Sequence, residues 1–69
     1  MKVQVELFRT RRTEDVELPV GANGLDLLRR LDLAPDAHLL VRGDTPLPLD
    51  EALNEGDRLL ILSVVSGGS

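Results

Sequence analysis

The chain has 69 residues, with no cysteine, tryptophan or tyrosine and one histidine, which leaves room for one small domain and excludes two. Without cysteine there is no disulfide, no thiolate metal cage and no thiol nucleophile, and a lone imidazole cannot build a zinc site. Twelve acidic against eight basic residues give a formal charge of −4, which argues against a nucleic-acid binder working through phosphate neutralisation, although Arg9, Arg11 and Arg12, and again Arg29 and Arg30, cluster locally.

Stability must come from aliphatic packing: the sequence holds fifteen leucines, seven valines and one isoleucine but a single aromatic, Phe8. From the start, Val3, Val5 and Leu7 alternate with Lys2, Gln4 and Glu6, the period of a half-buried strand. After a short polar loop at Thr10 to Thr13, Val16, Leu18 and Val20 resume the alternation, predicting a β-hairpin. Pro19 cannot donate to a ladder and belongs at a strand end or an edge. Gly21-Ala22-Asn23-Gly24 is punctuation, after which Leu27, Leu28 and Leu31 take helical spacing and predict a helix of two or three turns. Asn23 is its expected N-cap, Asp26 suits its positive end, and Arg29 and Arg30 suit its negative end. Ala34-Pro35 is expected to stop it.

His38 to Arg42 is a short apolar run ending at Gly43-Asp44, read as a third strand and a turn. The two prolines of Pro46-Leu47-Pro48-Leu49 allow only a short extended piece, and Asp50 to Leu53 has room for one helical or 3₁₀ turn. Residues 58 to 65, Arg-Leu-Leu-Ile-Leu-Ser-Val-Val, are apolar on both faces, as expected of a central strand, and would pair in parallel with the first. A hairpin, a helix and a long final strand bury everything if the helix lies across one face of a mixed sheet. The chain opens without an apolar signal core or an Arg-rich transit segment, and no run reaches membrane-spanning length; a cytoplasmic protein without membrane contact is the expectation.

Enzymatic templates do not match. The sequence lacks a phosphate-binding loop with a Gly-Lys-Ser/Thr ending, a Gly-x-Gly-x-x-Gly, a His-Glu-x-x-His and a nucleophile elbow. His38 reads as an ordinary strand-boundary residue, and Glu14-Asp15 and Asp50-Glu51 as solvated neighbours. The end is different. Gly67-Gly68 follows the final strand closely, and a diglycine without Cβ atoms can thread a narrow channel and approach a nucleotide phosphate. The reacting group would then be the backbone carboxyl of Gly68, activated by ATP in a separate enzyme. On these residues alone, a frayed Gly/Ser end or a linker is the simpler reading.

Taken together, the hairpin from Val3 to Val20, the helix near Gly24 to Leu31, the strand from Leu39 to Arg42, the loop Glu55-Gly56-Asp57 and the ending Val64-Val65-Ser66-Gly67-Gly68 resemble the ubiquitin-like β-grasp sulfur carriers and protein modifiers, a group that includes the ThiS and MoaD families and the small archaeal modifier proteins. The resemblance implies an α+β fold, a ubiquitin-like β-grasp with a mixed sheet of four to five strands and one main helix packed across one face. The domain would be residues 1–65, followed by a flexible diglycine tail, residues 66–69. The implied function is that of a modifier or sulfur carrier without catalytic residues or bound cofactor. Gly68 would be adenylated by an E1-like enzyme using ATP and Mg, then thiocarboxylated, for example for tRNA thiolation, or joined to lysines of target proteins.

The implied partners are that E1-like adenylating enzyme, target proteins or a sulfurtransferase, with no direct nucleic acid, and the chain is expected to be a monomer. Ser69 after Gly68 departs from the pattern: either a JAMM-type processing protease removes it, or it is a remnant of expression. Leu40, Leu60 and Leu62 are expected to form an exposed partner patch, rimmed by Arg9, Arg11 and Arg42. Lys2 is the only lysine, so self-conjugation would use Lys2 or the N-terminal amine. The rival reading is a non-covalent β-grasp interaction module with an irrelevant tail.

Overall fold

The structure is a computed structural model that describes residues 1–8 and 10–64. Five strands, β1 (Lys2–Leu7), β2 (Arg12–Glu17), β3 (His38–Arg42), β4 (Thr45–Leu47) and β5 (Arg58–Ser63), form one mixed sheet in the order β2-β1-β5-β3-β4. The helix α1 spans Gly24–Arg30, and a 3₁₀ turn covers Pro35–Ala37. β5 therefore lies at the centre. It runs parallel to β1 with Gln4 opposite Arg58 and Leu7 opposite Ile61, and antiparallel to β3 with Leu40 opposite Ile61.

Period-two alternation divides each strand between a covered and an open face. Val3, Val5, Val16, Leu40, Leu59 and Ile61 are each at most 5% exposed and meet Leu27 and Leu28, both at 0%, from the helix. Burying one such leucine contributes about 1.5–3 kcal/mol, so the covered face can carry a chain that has no disulfide. The sheet edges are blunted. β2 presents Arg12, Glu14, Asp15 and Glu17, and β4 is three residues long with Pro46 at its middle, both features that discourage pairing with another sheet.

Asn23 caps α1 as its residue type predicts. Its Oδ1 accepts from the Asp26 N–H at 3.0 Å, while Asp26 Oδ2 accepts from the Asn23 N–H at 3.0 Å, a reciprocal capping box. A further N-terminal N–H, that of Leu25, donates to Leu49 O at 3.1 Å, tying the helix to the segment after β4. Gly24 is the first helical residue, and its buried Cα lies where a Cβ would stand 2.6 Å from Leu40 Cδ1. The absence of a side chain lets the helix start settle on β3.

The helix ends earlier than Ala34-Pro35 requires. Asp32 takes a left-handed φ of 61°, with its N–H donating to Arg29 O and the Leu33 N–H to Leu28 O at 2.8 Å. These two bonds close a Schellman cap, and Leu33 then packs against the core. Pro35 opens the 3₁₀ turn instead. Nor does a helical or 3₁₀ turn form over Asp50 to Leu53: the Glu51 N–H closes a turn on Pro48 O at 3.1 Å, after which Ala52 bridges to Asn23. The backbone there is held by the helix start, which local spacing does not reveal. Gly43, at φ 62°, takes the first position of the two-residue loop between Arg42 and Thr45, where a tight hairpin demands positive φ.

Candidate functional site

The open face of the sheet is apolar where β3 meets β5. Leu39 stands opposite Leu62 and Val41 opposite Leu60, and directly opposed residues share a face. Leu39 is 51% exposed, while Val41, Leu60 and Leu62 are half-buried. The expected patch is thus corrected at one position. Leu40 is 1% exposed and sits in the core opposite Ile61, so it belongs to the covered face and Leu39 takes its place. A single register step decides this. The run His-Leu-Leu-Val-Arg is apolar at three consecutive positions, so hydropathy alone could not choose which of them face the helix. The deciding signal is the close approach of Gly24 to Leu40.

Charges border the leucines unequally. Glu6 lies beside Leu60 on β1, and Thr13 and Asp15 continue the open face on β2. Arg42 does not rim this face. It stands opposite Leu59 on the covered side, where its guanidinium donates to Asp57 Oδ2 at 2.8 Å and to Glu51 Oε2 at 3.4 Å. Asp57 Oδ2 also accepts the Asn54 N–H at 2.8 Å, so Arg42 clamps the turn that launches β5. Arg11 caps the β1–β2 loop in a left-handed conformation, φ 56°, with its N–H on Leu7 O at 2.7 Å. Arg9 lies outside the described residues.

β5 leaves the sheet at one end, where the Phe8 N–H donates to Ile61 O at 3.1 Å and the Val64 N–H donates to Ala37 O at 2.8 Å. A cleft here is lined by Leu7, Thr10, Leu33, His38, Ile61 and Ser63. His38 Nδ1 lies 2.7 Å from Ala34 O; a carbonyl only accepts, so Nδ1 carries the proton. Phe8 at 55% and Val64 at 41% are exposed nearby. The diglycine Gly67-Gly68, Ser69 and the expected tail boundary at residue 66 lie outside the described residues.

The amines occupy the opposite end. Lys2 opens β1, exposed, and pairs in register with Glu17. The N-terminal ammonium of Met1 donates to Glu17 Oε2 at 3.0 Å, and that ammonium holds the Glu17 carboxyl below its ordinary value. The paired carboxylates separate: neighbouring strand residues Glu14 and Asp15 point to opposite faces, being opposite Val5 and Gln4, and Glu51 is engaged by Arg42. No helix among the described residues is long and apolar enough to cross a membrane.

No model of a known protein family matches the chain. It is 32% identical over 62 residues to the sulfur carrier protein TtuB of Thermus thermophilus, a match covering 90% of this chain and 95% of that protein. Among solved structures it is similar to SAMP1 from Haloferax volcanii, with a TM-score of 0.74, 25% identity and coverage of 99% of this chain and 100% of the other.

Proposed function

This chain belongs to the ubiquitin-like sulfur carriers, the β-grasp group of ThiS, MoaD and the small archaeal modifiers, and from that premise we propose that its reactive group is the backbone carboxyl of Gly68. In this reading the chain is the cargo-bearing substrate of enzymes rather than a catalyst. An E1-like enzyme docks on the open face at Leu39, Val41, Leu60 and Leu62, and draws the diglycine into its ATP site. There a Gly68 carboxylate oxygen attacks the α-phosphorus of ATP and pyrophosphate leaves. Sulfide attack on the resulting acyl-adenylate expels AMP and leaves a thiocarboxylate for sulfur delivery, for example to tRNA; attack by a lysine amine of a target protein leaves an isopeptide.

The observation that supports this reading is the sharing of one strand by the docking face and the tail. Leu60 and Leu62 lie on β5, whose last residue is Ser63, and Gly68 comes five positions after Ser63. At about 3.3–3.6 Å per residue the Gly68 carbonyl reaches at most roughly 18 Å beyond the strand. A partner seated on the leucines therefore receives the terminus within its own active site, and Gly67-Gly68 fits there without Cβ bulk.

Ser69 sets a prior step. The carbonyl of Gly68 is in peptide linkage to Ser69, so hydrolysis by a JAMM-type protease precedes activation. The test compares pyrophosphate release by the E1-like enzyme with ATP and three forms of the chain: ending at Gly68, ending at Ser69, and lacking residues 67–69. Only the first should turn over. Absence of pyrophosphate release from all three forms, with binding to the partner kept by the form lacking residues 67–69, would show that the tail is irrelevant and the chain a non-covalent binding module.

A further inference from the structure

Resting on the proposed activation of Gly68, we propose that this chain is also an acceptor: Lys2 of one copy takes Gly68 of another, building unbranched chains linked only through Lys2. Three observations lead there. Lys2 is the only side-chain amine in the sequence, it lies exposed at the open start of β1, and the competing amine of Met1 is held by Glu17 at 3.0 Å, with the Met1 side chain 4% exposed. An ammonium in an ion pair must give up that partner and a proton before it can attack. The Lys2 ε-amine extends from the sheet on a flexible four-carbon stem.

The topology makes the reaction intermolecular. β5 runs parallel to β1 with Gln4 level with Arg58, so Lys2 is level with position 56, at the end of the sheet where β5 begins. The backbone is still running away from Lys2 at Val64, whose N–H bonds to Ala37 O. Eight residues of parallel rise, about 26 Å at 3.3 Å each, separate the level of Lys2 from that of Val64. The four residues from Val65 to Gly68 span at most about 14 Å, and reversing direction uses a turn of about four residues by itself. The remaining gap exceeds what the lysine stem covers, so a monomer cannot close on its own Lys2. Two copies face no such limit: the tail of one meets the far end of the next.

The step balances as aminolysis. The neutral Nζ of Lys2 attacks the carbonyl carbon of Gly68 held as acyl-adenylate, a C–N bond forms, the C–O bond to AMP breaks with its electron pair on AMP, and the amine proton passes to solvent. Each copy carries one acceptor and one donor, so the product grows as a line.

The test incubates the chain ending at Gly68 with the E1-like enzyme and ATP, and compares it with Lys2→Arg and Glu17→Gln by gel and tandem mass spectrometry. Arg58 is the last basic residue, so trypsin leaves Leu59 to Gly68 as a branch on the acceptor. The expected result is a ladder carrying that branch on Lys2, lost in Lys2→Arg while pyrophosphate release is unchanged. In Glu17→Gln, branches should begin to appear on the Met1 amine. A ladder that survives Lys2→Arg with wild-type Glu17, a cyclised monomer, or active adenylation without any ladder would each overturn the inference while leaving the activation reading intact. Absence of pyrophosphate release in every variant would overturn both.

Discussion

Replacing Gly24 by alanine tests how the helix is seated behind the leucine face. The added Cβ would lie 2.6 Å from Leu40 Cδ1, 3.1 Å from Leu49 Cα and 3.2 Å from Leu49 Cδ2. Leu40 is 1% exposed and cannot swing into solvent, while the Leu49 contact is backbone. Overpacking of this kind costs about 1–3 kcal/mol. Against it stands a gain of about 0.4–1 kcal/mol from the less flexible unfolded chain. The net loss is about 1–2 kcal/mol, and since 1 kcal/mol moves the Tm of a domain this size by about 4–8 °C, the midpoint should fall by roughly 4–16 °C. Urea and thermal unfolding of the two proteins measure it. Leu40→Val removes the clashing δ-methyl, so the double mutant should recover about 0.5–2 kcal/mol relative to the sum of the single changes. An unchanged or raised midpoint for Gly24→Ala would refute the seating described here, as would strict additivity with Leu40→Val.

Asn23→Ala removes one arm of the capping box and should cost about 1 kcal/mol in urea unfolding, with Asn23→Asp largely retaining the cap. Leu40→Ala should cost about 2–5 kcal/mol as a core truncation, whereas Leu39→Ala on the open face should stay within about 0.5 kcal/mol yet slow E1-dependent pyrophosphate release; reversed stability effects would return Leu40 to the surface. The Glu17 carboxyl is held below its ordinary value of 4.5 by the N-terminal ammonium. A lowered carboxylate pKa contributes stability that is full above the unfolded value and disappears as pH falls through the folded one. The stability difference between wild type and Glu17→Gln should therefore be constant at pH 6–7 and shrink with acidification below about pH 4.5, which chemical denaturation at a series of pH values can follow. Asp57→Ala, which removes the partner of Arg42 and of the Asn54 N–H, should cost about 1–3 kcal/mol.

Much of the fold is legible because each element carries its own local signal. Alternation at Val3-Val5-Leu7 marks β1, Asn23 and Asp26 mark the helix start, and a two-faced apolar run marks β5 as the central strand that the sheet order confirms. What the residues did not reveal is set by contacts distant in sequence. Asp32 ends the helix through a left-handed cap that a glycine or asparagine would have announced and an aspartate does not. Ala52 is extended because it bridges to Asn23, twenty-nine residues earlier in the sequence. The orientation of Leu39 and Leu40 depends on where a glycine on another element admits a side chain. Two members of the apolar face, Leu60 and Leu62, are readable from alternation on β5, because Leu59 and Ile61 fix the inward set; the other two, Leu39 and Val41, depend on that glycine.

The measurement that bears most directly on the central claim is the intact mass of the chain ending at Gly68 after incubation with its E1-like enzyme, ATP and a sulfide donor. Exchange of one oxygen for one sulfur at the C-terminus is the predicted product, absent for the chain that still carries Ser69. An unchanged mass for the Gly68 form, with no adduct to any protein, would contradict the claim that this fold is a handle for chemistry at its own terminus.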